Sequence, residues 1–265
     1  MNQDVLTAIE NGVARITINR PQARNAMTAA VIQEMLEFCR RIENDSAVRC
    51  LSITGAGEHF MAGGDVKGFM DVVDRPGEEL RSNFEQRSLD AAPLWIILER
   101  MPQPVVCSVR GFSAGAALSF VAGADLTIAS DNAKFLLAHV GLGLSPDAAT
   151  TYHLPRAVGV KQAKQLAFFG DRIDAQEALR IGLVNWVVPD AELEAKTEEI
   201  LGRLAHAPSV SIAQSKRLMN RSLGVTISEQ LTAEGISLGH CAASDDIKEG
   251  VRAFVEKRKP QFLGH

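Results

Sequence analysis

Three short apolar runs with a capped helical pattern between the first two constrain this fold more than anything else in the chain. Val13 to Asn19 (VARITIN) is β-branched and alternates apolar with polar positions, the period of a half-buried strand. Cys50 to Gly55 (CLSITG) and Pro104 to Val109 (PVVCSV) are compact apolar runs, as found in strands covered on both faces. Thr28 is placed to cap a helix in which Val31, Met35, Cys39 and Ile42 recur at helical spacing. Strands that alternate with helices in this way predict an α/β fold.

Glycines follow the carboxyl ends of two of these strands, in GEHFMAGGD (residues 57–65) and RGFSAGAALSF (residues 110–120). Loops there, leading into helix starts, are where open α/β folds place ligands. DLTIAS and KFLL add two short strands, and GLVNWVVP reads as a last one ended by Pro189. From Ala191 the pattern is almost continuous helix, broken near Pro208, Gly224 and Asp245, with helix starts at Pro208, Thr226 and Asp246. The composition shift near residue 190 separates residues 1–190 from residues 191–265 without a flexible tether.

Composition narrows the function classes. A net charge of -4 disfavours a nucleic-acid partner, since phosphate-backbone binding needs a basic face. The cysteines at 39, 50, 107 and 241 lie far apart with no CxxC spacing, which argues against a zinc site or a disulfide framework. They read as core thiols of a reducing compartment. No basic leader followed by an apolar run opens the chain, and no apolar run approaches the roughly 18 residues of a membrane span, so the expected location is the cytoplasm, with no membrane partner. GxGxxG and GKS/T patterns are absent, which excludes the common dinucleotide and P-loop signatures.

Two acids stand out. Asp147, in GLSPDAATTYHLPR, is the one formal charge between Phe135 and Pro155. In apolar surroundings desolvation would raise its pKa and suit it to proton transfer. With Ser145 as cap and Pro146 at the first helical position, it would instead be an ordinary first-turn acid. Asp65 likewise could end a tight glycine turn and cap the next helix. The residues alone leave both alternatives open.

Six stretches taken together resemble the enoyl-CoA hydratase/isomerase family, the crotonases, over essentially the whole chain. They are NRPQARNAM, GEHFMAGGDVKGF, PVVCSVRGFSAGAALSFVAGADLTIAS, LGLSPDAATTYHLPRAVG, AQEALRIGLVNWVV and FVEKRKPQF. The resemblance implies the crotonase fold: a superhelix of β-β-α units with CoA and oxyanion sites in residues 1–190, and a helical trimerisation region in residues 191–265. It further implies a homotrimer or a hexamer built as a dimer of trimers. The expected substrate is an acyl-CoA thioester; CoA enters as part of it, and no metal or other cofactor is needed.

By the same resemblance, the backbone N–H groups of Gly64 and Ala116 hold the oxyanion formed at the thioester carbonyl. Gly63 and Gly115 beside them let the ligand approach. CoA contacts are expected from Arg24, Ala26 and the segment containing Met61, Ala62, Asp65 and Lys67, with Phe254, Lys257 and Phe262 of the tail as further candidates. The acyl pocket is expected from around Met70 to Phe84, at Leu94 and Trp95, and from the C-terminal helices.

Hydratases of the family use two glutamates, and the matching positions here are Ser119 and His139, neither a carboxylate. Asp147, following proline in G-L-x-P-D, resembles the acid of the phenylacetate-pathway isomerase type. An enoyl-CoA isomerase with Asp147 as base is therefore the expected activity. His139 is a second proton carrier, and Ser119 a residue near the substrate. The alternatives are a hydratase using His139, with or without Asp147, and a non-catalytic acyl-CoA-binding homologue. His153, His206 and His240 have no motif support.

Overall fold

The computed structural model describes residues 3–264. Its strands are β1 (Val5–Glu10), β2 (Val13–Ile18), β3 (Cys50–Gly55), β4 (Val105–Val109), β5 (Phe112–Ala114), β6 (Leu126–Ser130), β7 (Lys134–Leu136), β8 (Ile173–Asp174) and β9 (Trp186–Val188). The helices of the N-terminal part are α1 (Ala29–Ile42), α2 (Gly77–Arg100), α3 (Ala117–Gly123), α4 (Thr150–Val158), α5 (Val160–Phe169) and α6 (Ala175–Arg180). Those of the C-terminal part are α7 (Leu193–Ala205), α8 (Ser209–Arg221), α9 (Ile227–Ala242) and α10 (Asp245–Glu256).

Two sheets meet at chain corners. The larger has the order β1-β2-β3-β4-β6-β9, the smaller β5-β7-β8. β1 and β2 form an antiparallel hairpin, and every other neighbouring pair in the larger sheet is parallel. β4 leads into β5 and β6 into β7, so the chain twice leaves the large sheet for the small one and returns through a helix. This repeat is the β-β-α unit of the crotonase fold.

Burial explains why the strands read as apolar on both sides. Ile16, Ile18, Leu51, Ile53 and Cys107 pack with Val31, Met35, Cys39 and Ile42 of α1 on one face. Val13, Cys50, Val106 and Ile128 pack with Leu193, Ile200 and Leu201 of α7 on the other. Burying side chains of this size contributes roughly 1.5–3 kcal/mol each. The first helix after residue 190 is thus part of the sheet's own packing. Thr28 caps α1, accepting from the Val31 amide at 3.3 Å. Thr226 starts α9 in a reciprocal capping box with Glu229.

α8 joins the core through a buried cation. The Lys216 ammonium lies 2.8 Å from Asp125 Oδ2 and donates to the carbonyls of Leu98 and Gln103, both at 3.1 Å. The tail is fastened by Asp246, whose carboxylate accepts from the amides of Leu263 and Gly264. Asp246 is therefore a tail anchor; the helix begins at Asp245 with Ser244 in the cap position. Burial drives the thiols of Cys39 and Cys50 up to about 12 and that of Cys107 higher still, so they stay protonated. No helix among the described residues is long and apolar enough to cross a membrane.

Two local expectations fail. No helix starts at Ser145 and Pro146: Ala148 and Ala149 adopt left-handed φ of 54° and 59°, which a helix cannot pass through, and α4 begins at Thr150. Asp65 caps nothing with its side chain; its carboxylate sits 3.7 Å from the Arg20 guanidinium instead.

Candidate active site

The two glycine loops run side by side. The Phe60 amide donates to Arg110 O, the Met61 amide to Phe112 O and the Ala114 amide to Met61 O, all within 3.0 Å. Gly63 and Gly115 then face each other across a gap that a side chain would close. A Cβ on Gly63 would lie 2.7 Å from Ala114 O, and one on Gly115 would lie 3.7 Å from Gly63 Cα. Their φ of +87° and +58° is the left-handed region that glycine enters freely. Gly64 and Ala116 are the next residues of the two loops, and neither amide donates to a protein acceptor among the described residues. Ala116 also occupies the N-cap position of α3.

The loop after β2 completes the cradle. Ala62 N donates to Arg24 O, Met27 N to Gly63 O and Asp65 N to Met27 O. Arg24 is exposed, Ala26 is buried with its carbonyl accepting from Arg20, and Lys67 is exposed on the short turn Val66–Phe69. Met61 is fully buried, with Ala62 and Gly63 lining the same edge. A residue missed in the sequence holds this junction: Asn25, buried with φ 57°, donates to Ala56 O at 2.9 Å and His59 O at 2.6 Å. Its signal was faint, an asparagine where the chain needs a left-handed residue.

His139 and Asp147 come together on the other side of the second loop. The His139 ring lies against Gly115, with Cε1 3.8 Å from where a Cβ would stand, and its Nε2 is 3.2 Å from Asp147 Oδ1. Nδ1 is buried and has no partner among the described residues. The Asp147 side chain is 52% exposed, which corrects the expectation of a desolvated carboxylate: its apolar neighbours in sequence spread along a surface loop and do not enclose it. Ser119 is 1% exposed, and its hydroxyl donates to Ala148 O.

Other candidates lie elsewhere. Trp95 and Leu94 are core residues, with the Trp95 ring 4.4 Å from Phe120. The side chain beside Gly64 is Phe69, which in turn packs edge-on against Phe84 at 4.9 Å. Phe254 is exposed, Lys257 ends α10 in a left-handed conformation, and Phe262 folds back onto Gly250. His153 is buried beside Glu99 at 3.8 Å; burial, and then Arg156, hold its imidazole below the ordinary range. His206 and His240 are exposed.

A crotonase-type spiral of β-β-α units carrying a paired-loop cradle defines the class: an enzyme of acyl-CoA chemistry. Residues 8–265 match the model of the Enoyl-CoA hydratase/isomerase family, and the chain belongs to that family. It is 37% identical to a short-chain-enoyl-CoA hydratase of Clostridium acetobutylicum, covering 97% of this chain and 96% of that protein. It is 34% identical to the 1,2-epoxyphenylacetyl-CoA isomerase of Escherichia coli over the full length of both. Among solved structures, an enoyl-CoA hydratase from Bacillus anthracis superimposes with a TM-score of 0.91 at 30% identity, covering 99% of this chain and all of that one. Hydratases and isomerases are both represented, so family membership fixes the class of enzyme and leaves the reaction to the site.

Proposed function

We propose that the protein is an enoyl-CoA isomerase that converts a 3-enoyl-CoA to the conjugated 2-enoyl-CoA. The observation that carries this reading is the single carboxylate at the second glycine loop. Both positions of the hydratase glutamates hold other residues, Ser119 and His139, while Asp147 reaches the site through its hydrogen bond to His139. A reaction that moves one proton between two carbons of one substrate needs one such group.

In this scheme the thioester oxygen accepts from the amides of Gly64 and Ala116. Asp147 removes a proton from the carbon next to the carbonyl, and negative charge builds on the thioester oxygen. The same carboxyl returns the proton two carbons further along, leaving the double bond conjugated. Because Asp147 is solvated in the free enzyme, the bound acyl chain itself must exclude water from it. Arg24, Ala26 and the segment 61–67 are the proposed CoA contacts.

The second reading is a hydratase in which His139 and Asp147 together activate water, favoured by the ring nitrogen within reach of that acid. Ultraviolet absorbance separates the two: isomerisation of a 3-enoyl-CoA creates conjugation, whereas hydration of a 2-enoyl-CoA removes it. The isomerase reading expects the first signal, reduced about 10²- to 10⁴-fold by Asp147→Asn. Absence of that signal across short, long and aromatic 3-enoyl-CoAs defeats it.

We also propose assembly into a homotrimer or a dimer of trimers. Leu231, Ile236, Leu238, Val251, Phe254 and Val255 of α9 and α10 are all more than half exposed in the single chain, and large apolar side chains left open along these two helices are what an interface between copies would cover.

A further inference from the structure

The two residues that stand where hydratases carry glutamates both hold the loop of Asp147. The Ser119 hydroxyl, on α3, donates to Ala148 O. His139, on the short turn Ala138–Leu142, bonds Asp147 Oδ1 through Nε2. Neither anchor belongs to the loop itself, and both stand next to the oxyanion loop: α3 starts immediately after Ala116, and the His139 ring rests on Gly115.

The loop has reason to need such anchors. Ala148 and Ala149 are both left-handed, a conformation that costs a non-glycine residue roughly 1–2 kcal/mol and persists only when its surroundings impose it. The loop's own bonds are few: Thr150 N closes a turn on Asp147 O, and Tyr152 N and His153 N return to Ala149 O. Asp147 carries no other side-chain partner among the described residues, so its rotamer depends on His139.

We infer that Ser119 and His139 are positioning residues that act through Asp147, clamping the base at a fixed distance from the Gly64 and Ala116 amides. This inference rests on the reading of Asp147 as the base. With Asp147 ionised, the 3.2 Å contact is made by His139 Nε2–H donating to the carboxylate.

The test joins kinetics with hydrogen exchange. His139→Phe keeps a flat ring against Gly115 and removes the donor; His139→Gln restores an N–H where Nε2 stood. Expected is a fall in kcat of about ten- to a hundredfold for His139→Phe, with KM little changed and most of the rate regained by His139→Gln. In an Asp147→Asn background, His139→Phe should then have no further effect. Ser119→Ala should lower kcat in the same sense, and in both Ser119→Ala and His139→Phe the Thr150 amide, bonded to Asp147 O, should exchange faster while the amides of β3 and β4 stay protected.

A full-rate His139→Phe, an additional loss in the Asp147→Asn background, or unchanged exchange at the Thr150 amide overturns the clamp. If Asp147→Asn keeps its rate, the isomerase reading fails, and exchange at the Thr150 amide still decides whether the two residues hold the loop.

Discussion

Gly63→Ala is the sharpest probe of the paired loops, because the structure fixes what the added methyl meets. The Cβ would stand 2.7 Å from the backbone oxygen of Ala114 and 3.5 Å from Gly115 Cα. An ordinary carbon–oxygen contact is about 3.3 Å or more, so the two loops must part by roughly half an ångström. Residue 63 would also have to keep a φ of +87°, a strain of about 1–2 kcal/mol for alanine. Neither demand can be met by rotating a side chain. The shift falls on the residue before Gly64, whose amide is the proposed oxyanion donor. Loss of one such donor costs about 3–4 kcal/mol, a fall in kcat of roughly 10²- to 10³-fold. The assay is the steady-state rise in conjugated-enoyl absorbance, with acyl-CoA affinity followed separately by calorimetry. Gly202→Ala is the control: it lies in α7 with no atom within 4 Å of the added methyl, and should leave kcat unchanged. A Gly63→Ala enzyme that keeps more than about a tenth of the wild-type kcat refutes the idea that these loops must touch for the amides to work.

Lys216→Met should lower the thermal unfolding midpoint by about 6–12 °C, corresponding to about 3 kcal/mol from an unpaired Asp125 and two carbonyls left without a donor. Adding Asp125→Asn should recover part of that loss, and a midpoint within about 2 °C of wild type for the single variant contradicts the pairing. Light scattering should give three or six times the chain mass of 28.6 kDa, and Val251→Glu with Phe254→Glu should reduce it; a monomeric wild type rules out assembly through α9 and α10.

Much of the architecture was legible because it is local. Periodicity placed α1 and its core face at Val31, Met35, Cys39 and Ile42, and all four are fully buried. Thr28 and Thr226 announced their helices through side chains that bond amides three residues on. The reading failed where a partner is distant in the chain. Asp65 has cap chemistry, but Arg20 lies close enough to compete for its carboxylate. Leu94 and Trp95, expected at the acyl pocket, are instead buried in the core, where the Trp95 ring packs on Phe120.

The sequence by itself determined the strands around residues 13–19, 50–55 and 104–109, the helix that follows Thr28 and the loops that carry adjacent glycines, while its resemblance to the family singled out Ser119 and His139 at the glutamate positions. The strands, the helix and the glycine loops follow from backbone preference and spacing along a few residues, quantities written in the chain. Only the tertiary structure decided that Ser119 and His139 turn toward the Asp147 loop, that Phe69 stands over Gly64, and that Asp147 meets water in the free chain. Those outcomes depend on distances between segments tens of residues apart and on competition for the same hydrogen-bonding partners, which no local pattern records.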